Sequence, residues 1–222
     1  MEILNLGSHR IGVRLPERGL CKGKNPAILL NDGELIEQLN LRTERAVLVG
    51  VYPNNRLSEY TPWPEPAIRP GAPDFGGRLG HYHRELTNEI LPPLIDEYAL
   101  DSEKLAYGGF SLGGLAAVMS LWETEVFASV FSLCGSFWYP GVADFIEEHP
   151  LLNGSARVYL QNGTREGEGH NNRLSKATTY AQRVHTALRT ACGAKTVFDD
   201  NGHHDRQTER FCTALRWAEQ IL

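Results

Sequence analysis

Residues 104–114 read Lys104-Leu105-Ala106-Tyr107-Gly108-Gly109-Phe110-Ser111-Leu112-Gly113-Gly114, and Leu115-Ala116-Ala117-Val118-Met119 follow at once. An apolar run, then Gly-x-Ser-x-Gly, then a series of good helix formers is the order strand, sharp turn, helix, which is the setting of a nucleophile elbow. Glycine suits positions 109 and 113 because a Cβ at either would clash where the chain doubles back, and the serine is expected in a strained backbone conformation. Such a turn lifts the Ser111 hydroxyl out of the sheet and sets it at a helix N-terminus. Free backbone N–H groups and the positive end of the helix dipole there favour a developing negative charge.

Outward from this stretch, strands and helices alternate. Glu2–Leu6 and Arg10–Leu15 read as an antiparallel entry hairpin, with Gly7-Ser8 at its turn. Ala27–Asn31 and Ala46–Val51 are buried-type strands, and Gly33–Leu41 reads as a short helix between them. Residues 53–77, rich in Pro, Gly and Asn, read as one long loop. Leu79–Tyr98 has apolar residues at helical spacing, and Pro92-Pro93 predicts a kink or break inside it. Further strands are expected at Leu105–Phe110, Ser129–Leu133, Ala156–Gln161 and Lys195–Phe198, with helices at Leu174–Thr190 and Asp205–Leu222. This alternation implies an α/β protein with a mostly parallel central sheet covered by helices on both faces, a three-layer αβα arrangement.

A length of 222 residues suits a single domain over 1–222, and no internal repeat, low-complexity segment or domain boundary stands out. The net charge of −5, without a long single-sign run, argues against nucleic acid as a partner. No segment approaches the roughly 20 apolar residues that span a bilayer, so no membrane partner is expected. The opening Met1-Glu2-Ile3-Leu4-Asn5 lacks a basic n-region and a long apolar stretch, so no signal peptide and a cytoplasmic location are expected. Cys21, Cys134, Cys192 and Cys212 are scattered with no C-x-x-C pair, which reads as reduced thiols rather than disulfides or a metal site. His81 and His83, two apart on a helix, point to different sides, so metal ligation is not expected there. No cofactor and no metal are implied, and the oligomeric state is not legible.

A serine hydroxyl needs a base to take its proton, and the base needs a third group to hold its tautomer. With the elbow order serine, acid, histidine, both partners must follow Ser111. His149 precedes a proline in a helical stretch, His185 sits within the amphipathic helix, and His170 lies in a Gly-rich loop. Asn201-Gly202-His203-His204-Asp205 lies between the last strand and the last helix, where this architecture gathers its active site. His203, directly after Gly202, is preferred, with His204 as the alternative. After the strand at 156–161 the chain reads Asn162-Gly163-Thr164-Arg165-Glu166-Gly167-Glu168, and Glu166 is the first carboxylate, with Glu168 as its local competitor. Asp199 and Asp200 sit close before His203 for this role. An oxyanion hole needs two preorganised donors. One is the backbone N–H of Leu112, and the other should come from the turn Asp32-Gly33-Glu34 after the strand at 27–31. Trp63, Phe137, Trp138 and Tyr139 are candidate pocket walls, though aromatic residues so placed also serve as plain packing.

With these pieces placed, the chain resembles the esterase family that holds the enterochelin (siderophore) esterases, esterase D and the antigen 85 mycolyltransferases. The resemblance runs from about Ala27 to the C-terminus. Ile28-Leu29-Leu30-Asn31-Asp32-Gly33-Glu34 is similar to the family's strand and oxyanion loop, which implies the Glu34 N–H as the second donor. Arg56-Leu57-Ser58-Glu59-Tyr60-Thr61-Pro62-Trp63 resembles its R-x-x-E-[FLY]-T-P-[W] segment, and Tyr107–Gly114 its G-x-S-x-G-G elbow. Ser136-Phe137-Trp138 resembles its aromatic stretch and Gly163-Thr164-Arg165-Glu166 its acid segment. Gly202-His203-His204-Asp205, with Arg210-Phe211 and Ala214-Leu215-Arg216-Trp217, resembles its C-terminal ending, which implies the catalytic role for His203. An aromatic residue that many relatives carry just after that histidine is replaced here by Arg206-Gln207-Thr208. The resemblance implies an α/β-hydrolase fold and a serine carboxylesterase with a Ser-His-Glu triad acting on a small-molecule ester. Acyl transfer to another alcohol and a catalytically silent ligand-binding relative are the rival expectations.

Overall fold

The apolar runs at 27–30 and 47–51 are buried on both faces, as near-continuous hydrophobic strands require of a sheet covered on two sides. The computed structural model describes Met1–Leu222. One eight-stranded sheet comprises β1 (Glu2–Leu6), β2 (His9–Arg14), β3 (Asn25–Asn31), β4 (Val47–Tyr52), β5 (Leu100–Phe110), β6 (Ser129–Leu133), β7 (Arg157–Gly163) and β8 (Lys195–Asp199). Their spatial order is β1-β2-β4-β3-β5-β6-β7-β8. Strands β3 to β8 run parallel, and β2 pairs antiparallel with both β1 and β4. The fold is therefore the mostly parallel α/β sheet that the alternation of elements predicted.

The helices are α1 (Leu35–Gln38), α2 (Arg56–Glu59), α3 (Leu79–Glu85), α4 (Leu91–Tyr98), α5 (Leu112–Met119), α6 (Val142–Glu148), α7 (Ala177–Cys192) and α8 (Gln207–Ile221). Strand alternation divides the core in two. Ala27 and Leu29 join the cluster built from α3 to α7, whereas Ile28 and Leu30 join the one built from α1 and α8. No helix is long and apolar enough to cross a membrane.

The structure corrects the expected elements in several places. The stretch 53–77 is not one loop. It holds α2, whose first turn is capped by the Asn55 side chain accepting from the Ser58 N–H at 3.1 Å, and a two-stranded ribbon pairing Pro64–Glu65 with Phe75–Gly76. Strand β5 begins at Leu100, because Asn25 of β3 pairs with it there ahead of a register shift. The break in the 79–98 helix falls at a π turn over Leu86–Ile90, and Pro92-Pro93 fall inside the first turn of α4, where a missing N–H is harmless.

Parallel strands all end at one edge, and that edge gathers the loops after β3, β5, β6, β7 and β8. The register brings Phe110 at the end of β5 opposite Leu133 of β6, and Asp199 of β8 opposite Gly163 of β7. At the turn after β5 the backbone of Gly109 lies against Gly113. A Cβ at 109 would stand 2.6 Å from the carbonyl carbon and oxygen of Gly113. Gly109→Ala is expected to destabilise the fold by about 1–3 kcal/mol, the usual range for overpacking. It should appear as a lowered urea midpoint with an unchanged slope. Gly154→Ala, where a Cβ meets nothing within 4 Å, is expected to leave that midpoint in place.

Candidate active site

Ser111 follows directly on β5 and caps α5 with φ 59° and ψ −120°, a conformation an L-residue holds only when its surroundings over-determine it. Here they do. The Ser111 N–H donates to the Leu133 carbonyl at 2.9 Å, and its own carbonyl accepts from Leu115 and Ser136 N–H groups, both at 3.0 Å. The backbone is thus tied into β6, into α5 and into the loop after β6. The hydroxyl meets the Ser136 hydroxyl at 3.2 Å.

His203 lies on the loop between β8 and α8. Its Nε2 stands 3.0 Å from Ser111 Oγ and its Nδ1 2.9 Å from Glu166 Oε2. The ring packs on Phe110 with centroids 4.9 Å apart. The loop is held from below by Arg210 of α8, a guanidinium only 2% exposed, whose Nη1 donates to the carbonyls of Gly202 (3.2 Å) and His203 (3.1 Å). Its other edge forks onto Asp199 at the end of β8, with Nε to Oδ2 at 2.8 Å and Nη2 to Oδ1 at 2.5 Å. That pairing, with donors from Gln161 and Asn201, outweighs burial and holds Asp199 down at about 2.

Glu166 is 5% exposed and sits on the loop after β7. Its Oε1 accepts from the Gly163 N–H at 2.6 Å and from Asn162 Nδ2 at 3.2 Å, while Oε2 faces His203. Burial alone would raise its pKa. The hydrogen bond and charge of His203, the Gly163 N–H and the Cys134 thiol more than offset that and hold it below the ordinary carboxylate value. An ionised carboxylate at Nδ1 keeps a proton on that nitrogen and turns the lone pair of Nε2 toward the serine. Cys134 is buried, accepts from Arg210 Nη1 at 2.8 Å, and has its pKa pushed up by burial first of all, so it stays a thiol.

The loop after β3 lies beside the elbow: Asn31 Nδ2 donates to the Gly113 carbonyl at 2.8 Å. Asp32, with φ 57°, is clamped by the Arg56 guanidinium at 2.7 and 3.0 Å, and its N–H donates to the Tyr60 hydroxyl at 2.9 Å. The Arg56–Trp63 segment thereby braces this loop. The Glu34 N–H that follows donates to no protein group. The Leu112 N–H is the first of α5 and has no intrahelical acceptor.

A cavity of about 320 Å³ opens over Ser111 and His203, and Trp138, Leu174 and Ile68 supply its apolar wall. Trp138 thus lines the space above the serine. Trp63 and Phe137 do not. Trp63 donates from Nε1 to the Pro140 carbonyl and packs on Phe145, and Phe137 is fully buried against His185. Tyr139 is likewise buried, with its hydroxyl donating to the Trp63 carbonyl. His204 and His170 lie on the cavity rim, and Glu168 is exposed outside it. His81 and His83 turn apart, to Glu85 and to Glu123. A larger open groove of about 830 Å³ between α6 and α7 contains none of the candidate groups.

Sequence reasoning missed Ser136, Cys134, Asn162 and His185. Asn162 stands next to the acid segment, and a buried amide there was a readable signal. The others come into place only through sheet register. His185 Nε2 lies 2.9 Å from Asn162 Oδ1, so a neutral ring donating there turns Nδ2 of the amide toward Glu166.

A strained serine on a strand-to-helix turn, at the C-terminal edge of such a sheet with an imidazole beside it, defines a serine hydrolase of the α/β-hydrolase fold. The chain belongs to the family described as "Putative esterase", whose model matches residues 7–220. It is 29% identical over 242 residues to the uncharacterized protein YbbA of Bacillus subtilis (strain 168), covering 96% of this chain and 95% of that one. Among solved structures, an IroE-like serine hydrolase from Shewanella oneidensis superposes with a TM-score of 0.72 at 17% identity, covering 95% of this chain and 74% of that one. The siderophore hydrolase EstA from Aspergillus nidulans superposes with a TM-score of 0.69 at 17% identity, covering 96% and 90%. At these identities the two superpositions speak to a shared fold.

Burial lowers the pKa of His185 from 6.5 to about 4. The unfolded chain therefore takes up a proton there that the folded chain refuses, and stability present above pH 6.5 is lost as pH falls toward 4. His185→Gln keeps an N–H donor without a titrating group. Its urea midpoint is expected to fall less than that of the parent between pH 6.5 and 4.

Proposed function

We propose that this serine hydrolase cleaves a small-molecule carboxylic ester through Ser111, His203 and Glu166 and an acyl-enzyme. The observation that carries the reading is the unbroken chain of contacts, 3.0 Å from Ser111 Oγ to His203 Nε2 and 2.9 Å from His203 Nδ1 to Glu166 Oε2. His203 takes the serine proton as Oγ attacks the ester carbonyl, and Glu166 stabilises the imidazolium without taking its proton. The imidazolium then protonates the departing alkoxide. Water, deprotonated by the same ring, attacks the acyl-serine and releases the acid.

The oxyanion of each tetrahedral intermediate falls to the Leu112 and Glu34 N–H groups. Their lack of internal acceptors supports that role, and so does the bracing of the loop before Glu34 by Arg56 and Tyr60. The positive end of the α5 dipole adds to the stabilisation.

Ser111→Ala is expected to lower kcat on 4-nitrophenyl acetate by at least about 10³-fold and to abolish labelling by a fluorophosphonate probe. A variant that hydrolyses the ester as fast as the parent overturns the reading. Glu166→Gln keeps the shape of the side chain but lets the imidazole tautomer drift. It is expected to lower kcat by about 10²–10⁴-fold with the fold intact by circular dichroism.

A further inference from the structure

The cavity over Ser111 sorts charge in a way that ester hydrolysis does not require. The chain as a whole is acidic, with a formal net charge of −5. Yet the one carboxylate in the cavity wall is Glu166, which is buried and committed to His203, Gly163 and Asn162. The one permanently charged side chain on the rim is the Arg69 guanidinium; His170 and His204 share that rim, and burial holds the His204 pKa below its ordinary value.

Arg69 is unlike the arginines around it. Arg56 is clamped to Asp32, Arg165 lies near Asp200 and Asp205, and Arg173 lies near Glu65. The Arg69 guanidinium is exposed and pairs with no carboxylate, while the residue's backbone carbonyl accepts from the Ala72 N–H. The rim that carries it is nevertheless built. Arg173 donates from Nη2 to the Pro66 carbonyl at 2.5 Å and lies over the rings of Phe75 (5.4 Å) and Trp138 (5.6 Å). It thereby ties the ribbon loop bearing Ile68 and Arg69 to the segment bearing Leu174.

An unpaired cation at the mouth of a partly apolar cleft focuses field on whatever enters, and it attracts an anion while repelling an ammonium group. A cavity of about 320 Å³ lies at the small end for ligand sites and excludes a bulky ester from full enclosure. We propose that the site takes a compact ester bearing a carboxylate, its carbon chain packed on Trp138 and Leu174 and its carboxylate facing Arg69. This proposal names the substrate class for the serine-esterase reading above and rests on it.

Two matched pairs of esters test it, each pairing a carboxylate with its neutral primary amide. In one, 4-nitrophenyl monoadipate against the adipamic ester, the charge is on the acyl side. In the other, 4-acetoxybutyrate against 4-acetoxybutanamide, it is on the alcohol side. In at least one pair the carboxylate is expected to be favoured in kcat/KM by about threefold to tenfold at low ionic strength, the scale of partly exposed charge pairs acting together. The preference should shrink as salt is raised to about 0.5 M, and Arg69→Gln should bring the ratio close to one. Ratios near one, or favouring the amide, in both pairs overturn the proposal if Ser111 is still labelled by a fluorophosphonate probe, and leave the esterase reading standing. Absence of labelling together with absence of turnover overturns the esterase reading and this proposal with it.

Discussion

The backbone of Ser111 is the constraint on which the rest of the structure turns. A non-glycine residue at φ 59° and ψ −120° is strained by about 1–3 kcal/mol, and nothing local to Phe110-Ser111-Leu112 repays that. It is repaid by hydrogen bonds that reach across the sheet, to Leu133 at the end of β6 and from Ser136 in the loop beyond it. The close contact of Gly109 with Gly113 lets α5 start directly above the strand it follows. Because β6 must be in register for these bonds to form, the Ser111 geometry depends on the pairing of the central sheet.

Around that turn, the same physical solution recurs at two loops of the candidate site. A loop at the sheet edge carries polar groups that a mobile backbone would scatter, and a buried or half-buried arginine holds two of these loops in place. Arg56 clamps Asp32 in the loop after β3. Arg210 clamps Asp199 and the carbonyls of Gly202 and His203. Planar guanidinium forks suit this task because two parallel hydrogen bonds fix orientation as well as distance. The loops then act as rigid extensions of β3 and β8.

The electrostatics of the site follow from burial with compensation. Burial alone would push the Glu166 pKa up, yet the hydrogen bond and charge of His203, the Gly163 N–H and the Cys134 thiol hold it below the ordinary carboxylate value. Its charge in turn orders the imidazole. Asn162 contributes to that set, and its amide is oriented by His185, a ring kept neutral by its own burial. The hydrogen-bonded series from His185 through Asn162 and Glu166 to His203 and Ser111 links one helix, one strand and three loops.

Much of this was legible in the linear order of residues. Periodicity gave the alternating elements, and the apolar runs announced a sheet covered on both faces. Gly109-Phe110-Ser111-Leu112-Gly113 in its strand-to-helix setting announced the turn, and chain order narrowed the search for an imidazole and a carboxylate to 203–204 and 166–168. Local chemistry decides such things, because backbone preference and hydrophobic period are properties of neighbouring residues. Which aromatic residues face the serine was not legible: Trp138 does, whereas Trp63 and Phe137 pack elsewhere. Nor were the roles of Ser136, Cys134 and His185 legible, since each touches its partner across 23 to 76 positions of chain. Those contacts are set by parallel register, which brings six strand ends to one edge, and no local run of residues carries that information.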